Sequence, residues 1–393
     1  MNARVYDFFL HKTFSGPLAG IAFTAVAILR STIFTLHNLF GIVTYRKKIS
    51  PIIPENIKKI LLIKTDRIGD IVLAMPALKA LRNHYPHATI DIVVQKKYAQ
   101  LLNCFEGWNT VFTLDTLTDR TVLYELGERL KLQKYDAAIV LHPAAYAFML
   151  ARFSEATHII GWKAKGFGFL LTHGLQDDRS TANRHQVINN LKLCEFLGVH
   201  DEHPSYPIKE TEQGQNEVKA FLEKQSISPS SKILLIHPAS YSPRVRWYAD
   251  RFAAVGDQAI EAGITVIVIG SRADQVVVDK MVSAMKTKPI LAFDSFSIEG
   301  LVSLMHRSNV FVGNSTGPVH IAAACGIWAI GIYGSQYPMD RAVLWAPFGP
   351  KGMVVSAPDV VCKKCVPWTC KNKRCLQEVT VEMVWKEVVK FLN

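Results

Sequence analysis

Residues 58–76 read Lys-Lys-Ile-Leu-Leu-Ile-Lys-Thr-Asp-Arg-Ile-Gly-Asp-Ile-Val-Leu-Ala-Met-Pro. The run 60–63 is apolar at every position, as a strand buried on both faces requires, and does not alternate as a strand with one wet face would. Gly69 ends the run, and from 71 to 83 the apolar residues recur at helical spacing. A buried strand, a tight turn and a helix form the repeating unit of a parallel α/β sheet. Asp70 then falls at or near a helix N-terminus, at the C-terminal edge of a sheet, where open α/β sheets hold ligands. The helix dipole favours an ionised carboxylate there, so Asp70 suits a base or a hydrogen-bond acceptor. A plain helix cap is the competing reading.

The same alternation continues. Strands are expected at 60–63, 90–94, 111–114 and 137–141, with helices at 71–83 and 121–132 between them and a further helix at 185–197. A polar stretch rich in Ser and Pro follows, and the pattern restarts with strands at 232–236, 264–269, 309–312 and 328–333 and helices at 249–262, 298–306 and 318–325. At 393 residues the chain exceeds the usual size of one core. The expected architecture is α/β, with two doubly wound domains facing one cleft. Their bounds are 51–205 and 231–377, joined by a linker at 206–230. A C-terminal helix at 378–393 is expected to pack back across the junction.

The first 50 residues stand apart. The stretch 18–43 is apolar but carries Arg30, His37 and Asn38. As a helix it would reach about 39 Å. Polar residues on two of its faces favour a helix lying on a membrane surface over a spanning anchor or a helix packed on the protein. Tyr45-Arg46-Lys47-Lys48 then favours the cytoplasmic leaflet. Residues 18–48 are therefore expected to associate peripherally with the inner membrane and leave the body cytoplasmic.

Composition narrows the partners. The apolar share of 49% describes a chain with an ample core, and the formal charge of +12 favours anionic partners. There is no arginine-rich tract or aromatic-studded basic strand, so nucleic acid is not expected. Cys362, Cys365, Cys370 and Cys375 follow the spacing C-x2-C-x4-C-x4-C. In a reducing compartment such a cluster suits a structural zinc or iron site, with disulfides or unligated thiols as the other readings. Four thiolates would close a tetrahedral site, which excludes a catalytic role.

A second constellation lies at 314–320, Asn-Ser-Thr-Gly-Pro-Val-His, between a buried strand and a short helix. Asn314, Ser315, Thr316 and Gly317 suit a turn whose N–H groups bind phosphate or diphosphate without a metal. His320 follows one turn into the helix. Upstream, His237-Pro238-Ala239-Ser240 ends a strand in the same way, with Arg244 and Arg246 beyond it. Guanidinium groups there suit a diphosphate.

Together these residues resemble glycosyltransferase family 9, the lipopolysaccharide heptosyltransferases. The likeness runs from 58 to about 385. It rests on K-T-D-R-I-G-D-I-V-L-A-M-P-A-L at 64–78, R-H-Q-V-I-N-N-L at 184–191, H-P-A-S at 237–240 and R-W at 246–247. It continues with G-N-S-T-G-P-V-H-I-A-A-A-C-G at 313–326, I-Y-G at 332–334 and the closing cysteine cluster. The resemblance implies the GT-B architecture, with the acceptor on the first domain and the nucleotide sugar on the second. Asp70 matches the catalytic base, Ser240 and the 315–317 turn match the donor diphosphate site, and His320 matches the histidine of D-[ST]-G-x-x-H. Two positions depart from the family. Ser315 stands where many members have Asp, and Val245, between Arg244 and Arg246, where many have Lys.

The expected function is inverting transfer of a sugar, a heptose from ADP-heptose, onto a lipid-linked saccharide such as a lipopolysaccharide core precursor. Lys64, Arg67, Gly69 and His185 are assigned to the acceptor or phosphate side. No cofactor is required, since no D-x-D carboxylate pair is present to hold a divalent cation. A protein-directed glycosyltransferase, a nucleotide-sugar epimerase and an inactive nucleotide-sugar binder are the alternatives.

Overall fold

The computed structural model describes residues 50–205, 208–241, 243–334, 337–357, 360, 362, 365 and 370–391, without the side chain of Arg244. The membrane-directed segment expected at 18–48 lies outside these residues. Among the described residues no helix is long and apolar enough to cross a membrane.

Two six-stranded sheets carry the chain. The first contains β1 (Lys59–Ile63), β2 (Thr89–Gln95), β3 (Val111–Leu114), β4 (Ala137–Val140), β5 (His158–Lys163) and β6 (His173–Gln176). Their order is β3-β2-β1-β4-β5-β6, and every pairing is parallel. The second contains β7 (Ile233–His237), β8 (Thr265–Gly270), β9 (Ile290–Phe293), β10 (Val310–Asn314), β11 (Trp328–Ile332) and β12 (Gly352–Val355). Its order, β12-β11-β10-β7-β8-β9, is the same arrangement, again wholly parallel. Each sheet reverses its winding between its first and fourth strands, at β1/β4 and at β7/β10. Ligands of open α/β sheets bind outside the strand ends at such a switch point.

The central strands are those that read as unbroken apolar runs. In β1, residues 60–63 are buried throughout, and all of β7 and β10 is buried. The helix expected over 71–83 is two helices, Ile68–Val72 and Met75–His84. Pro76 has no N–H to give the carbonyl of Val72, so the ladder breaks there and restarts with Pro in its first turn. The break turns the short first helix, with Asp70 at its centre, independently of the longer one.

The connector is not a free linker. The helix Glu212–Lys224 lies within it and packs on the helix Ile298–Arg307. Glu217 accepts from the Ser297 N–H at 2.9 Å and its hydroxyl at 2.8 Å. The helix Ile298–Arg307 also packs on the segment Lys96–Cys104 of the first half. Buried Glu299 receives Asn103 Nδ2 at 2.7 Å and Thr211 Oγ1 at 2.6 Å. Leu101, Leu102 and Cys104 belong to one contiguous apolar cluster with Val302, Met305, Phe311 and Ile321. The C-terminal helix Val381–Lys390 packs on the helix Ala249–Glu261 of the second half, with Phe391 stacked on Trp328 at 3.5 Å. It does not bridge the junction: Val384 and Val388 belong to the cluster around β7, β8 and β10.

Candidate functional site

The two switch points open on one cavity of about 130 Å³. The first sheet contributes Arg67, Gly69 and Asp70 to its lining. The second contributes Tyr241 and Val245 after β7, Ser315, Thr316, Gly317 and His320 after β10, and Tyr333, Asp340 and Trp345 after β11.

The halves meet backbone to backbone at this point. A Cβ on Gly69 would lie 2.7 Å from His320 Cδ2 and 2.9 Å from Gly317 Cα. A Cβ on Gly317 would lie 2.4 Å from Ile68 Cγ2. Real Cβ atoms do not approach so closely, so both positions need glycine for contact rather than for an unusual φ. The helix carrying Asp70 is thereby held against the start of the helix Gly317–Ala324.

Asp70 is half-buried. Burial, and then the neighbouring Asp66 carboxylate, raise its pKa from 3.8 to about 6 against the pull of Lys64, His142 and Arg67. A carboxylate poised there is mostly ionised at pH 7 and still basic enough to take a proton. Lys64 is buried and pairs its ammonium with Asp66 at 3.0 Å, so its charge is already compensated. Gln95 Nε2 donates to the carbonyls of Thr65 and Asp66 at 2.7 and 2.8 Å and fixes this turn. His142 stands beyond β4, its Nδ1 3.0 Å from the Tyr146 hydroxyl. Burial, and then Lys64, push its pKa down to about 4, so the ring is neutral.

Across the cavity, Thr316 is the N-cap of the helix Gly317–Ala324, and no side chain caps that helix. Thr316 Oγ1 lies 3.3 Å from His237 Nδ1, and His237 Nε2 lies 3.8 Å from the Asp274 carboxylate. Burial opposes ionisation of Asp274, but hydrogen bonds from His237 and Ser271 hold its pKa well below the usual carboxylate range. A fixed carboxylate, an imidazole and a hydroxyl thus orient the turn. The uncapped N-terminus with its dipole suits an anion. His320 is buried, and burial followed by His185 pushes its pKa down to about 3. It is a neutral ring with an unpartnered buried Nδ1, not a cation. Ser315 and Tyr333 both line the cavity, and the Tyr333 hydroxyl donates to the Trp345 carbonyl.

With this geometry in view, the sequence pattern of glycosyltransferase family 9 (heptosyltransferase) matches residues 123–376. The chain belongs to glycosyltransferase family 9. It is 24% identical over 355 residues to the lipopolysaccharide core heptosyltransferase OpsX of Haemophilus influenzae, covering 86% of this chain and 99% of that protein. Among solved structures it resembles a glycosyl transferase family 9 protein from Veillonella parvula, with a TM-score of 0.76, 24% identity and coverage of 87% and 99%. It also resembles the ADP-heptose lipopolysaccharide heptosyltransferase II of Escherichia coli, with a TM-score of 0.70, 20% identity and coverage of 85% and 98%. The GT-B arrangement of two parallel-sheet domains is therefore that of family 9 proteins, and the chain is a glycosyltransferase.

Within this family 9 site the assigned residues separate into two groups. Asp70, Gly69, Arg67, Ser315, Thr316, Gly317 and His320 line the cavity, whereas Asn314, His185, Ser240, Arg246 and Lys64 do not. Asn314 is fully buried and its amide is spent on the loop after β7. It accepts from the Trp247 N–H at 2.8 Å and donates to the carbonyls of Pro238 and Ala239 at 2.8 and 3.1 Å. It ties that loop to β10 and leaves no group for a ligand. His185 caps the helix Gln186–Cys194 through Nδ1, at 3.2 Å from the Val187 N–H, and Nε2 donates to the Ala346 carbonyl at 2.9 Å. Both nitrogens are used, so His185 is a clamp between the halves rather than a phosphate ligand. His185→Ala is expected to cost about 1–2 kcal/mol in urea unfolding, from a lost cap and a lost buried hydrogen bond. The donor KM should stay within twofold. Arg246 Nη2 donates to the Ser240 carbonyl at 2.8 Å, while Arg246 Nε and Ser240 Oγ are buried without partners beside the cavity. Arg244 lies outside the described side chains.

In the described arrangement the cysteine cluster expected to hold a structural zinc or iron shows no assembled ligand set. Burial, and then Cys362, Cys365 and Cys370, raise the Cys375 thiol to about 11. Among the described residues no three His, Cys, Asp or Glu side chains are arranged to hold a metal ion. Cys375 packs instead against Gly334, where an added Cβ would meet its Sγ at 3.0 Å. Sequence reasoning missed Tyr241, Asp340 and His142. The last had a signal, because the triplet His-Pro-Ala follows β4 at 142–144 and recurs at 237–239.

Proposed function

We propose that this chain transfers a heptose from ADP-heptose, with inversion, onto a lipopolysaccharide core precursor or related envelope glycolipid. Asp70 carries the reading. Its carboxylate shares one cavity with the uncapped helix start at Thr316–Gly317, and the two helices touch through glycine. In the proposed step the acceptor hydroxyl oxygen forms a bond to the anomeric carbon as its proton passes to Asp70. The bond from that carbon to the diphosphate oxygen breaks on the opposite face, and ADP leaves with the electron pair. Backbone N–H groups at the helix start and the charge of Arg67 oppose the charge gathering on the diphosphate.

A lipid-linked acceptor agrees with the apolar, basic-flanked residues 18–48 and with a cytoplasmic position at the inner membrane surface.

The test measures ADP release from ADP-heptose by the full-length protein, with and without a heptose-deficient lipid A–core glycolipid in mixed micelles. Release that requires the glycolipid, with a product one heptose heavier by mass spectrometry, is the expected result. Release with a protein acceptor alone would replace the glycolipid reading. ADP-heptose binding with no turnover on any acceptor would remove the transferase assignment.

A further inference from the structure

The cavity holds a second carboxylate that the proposed transfer leaves without a task. Asp340 closes a turn after β11, its N–H donating to the Tyr337 carbonyl at 2.8 Å, and it lines the same cavity as Asp70, Ser315 and Thr316. It comes from a different strand end than either motif, about 25 residues beyond the Ser-Thr-Gly turn.

Its surroundings act on the carboxyl group in opposite senses, with burial the larger. Burial raises the Asp340 pKa, while Arg67 and a hydrogen bond from the Tyr241 hydroxyl pull it down. Arg67 lies over the Tyr241 ring, its guanidinium carbon 4.5 Å from the centroid. The first half of the molecule thus supplies the cation and the second half supplies the phenol and the carboxylate. A carboxylate has about four acceptor positions, and one phenolic O–H uses only one of them. The rest border the cavity. A partly buried carboxyl group suits neutral hydroxyl groups better than a diphosphate. Trp345 lines the cavity beside it, held by Nε1 donating to the Met339 carbonyl at 2.6 Å. Its indole adds an apolar wall. Carboxyl group and aromatic wall together suit a polyhydroxylated ring, not an anion.

The rest of the cavity favours an anion. The helix start at Thr316–Gly317 offers N–H groups, and Ser315 offers a neutral hydroxyl.

We propose that Asp340, beside Tyr241 and Arg67, binds hydroxyl groups of the donor sugar and sets which sugar the enzyme accepts. This rests on the donor reading above and extends it, dividing the cavity into a diphosphate part at the Thr316 turn and a sugar part at Asp340.

The experiment compares two probes by titration calorimetry, ADP and ADP-heptose, on the full-length protein and on Asp340→Asn and Asp340→Ala. The expected result is a loss of at least tenfold in ADP-heptose affinity with ADP affinity within twofold of the unaltered protein. Retained ADP binding also reports that the variant is folded. In turnover, Asp340→Asn should raise the donor KM more than it lowers kcat. Equal losses for both probes in both variants, or no loss for either, would overturn the proposal and leave Asp340 as a loop support or a bystander. An unaltered protein that binds ADP as tightly as ADP-heptose would overturn the sugar subsite while leaving the diphosphate site standing. Binding of neither probe would remove the donor reading, and this proposal with it.

Discussion

Asp70→Asn is expected to lower kcat by about 10²- to 10⁴-fold, the usual contribution of a positioned general base, while raising resistance to unfolding at pH 7. The two effects share one cause. Asp70 has a folded pKa of about 6 against an ordinary 3.8, so the fold disfavours its charged form. Above pH 6 the group is ionised in both states and subtracts its full share of stability, at most about 3 kcal/mol. That penalty shrinks as pH falls from 6 towards 4 and is gone below the unfolded value. The neutral amide removes it at every pH. Activity has the opposite sign, because the base must be ionised to accept a proton. The kcat/KM of the unaltered enzyme should therefore fall about tenfold per pH unit below 6, and the residual rate of Asp70→Asn should lack that limb. A variant with kcat within tenfold of normal, or one that melts earlier at pH 7, would count against Asp70 as the base.

Alanine at Gly317 or Gly69 should be nearly as damaging, though neither residue has a side chain to lose. At Gly317 the new methyl would sit 2.4 Å from Ile68 Cγ2, and at Gly69 it would sit 2.7 Å from His320 Cδ2. Overpacking of a closed contact costs about 1–3 kcal/mol. The functional cost is larger, because relief requires Asp70 and the Thr316 turn to move apart. A displacement of about 1 Å between reacting groups is enough for a 10²-fold loss. The expected outcome is a drop in kcat/KM of about 100-fold in each variant. The losses in the double variant should fall short of additive, because both methyls strain one contact. Normal activity in either single variant would mean that the two helices separate freely during turnover.

The parts of the molecule that could be read from the sequence are those where one residue type answers one local demand. The buried central strands announce themselves because burial on both faces admits no polar alternation, and 60–63 and 310–313 carry none. Asp70 and the 315–317 turn were legible because a strand, a break and a helix fix where the chain turns. Of the edge strands only β3 was; β6, β9 and β12 were not, nor was β5. β6 is half-exposed along most of its length and β9 is buried at one residue in four, so neither has a pattern to distinguish it from loop. Asn314 and His185 were assigned to ligands because both sit inside motifs, yet their hydrogen bonds reach Trp247 and Ala346, far away in sequence. Asp340 was invisible for the converse reason. It belongs to no motif, and only the winding of β11 beside β10 carries it to the cavity.

The helix Ile298–Arg307 has a consequence for anyone dissecting this enzyme. It presses on both the connector helix and the segment Lys96–Cys104, and Glu299 draws one partner from each. A cut within 206–230 would strip an apolar face and leave a buried carboxylate without its donors. Neither half should then stay dispersed as an isolated fragment. A chimera that swaps acceptor specificity between relatives therefore has its natural seam elsewhere. The transplanted piece must bring its own version of 96–104, matched to the recipient's 298–307, or the hybrid will fail before its specificity can be measured.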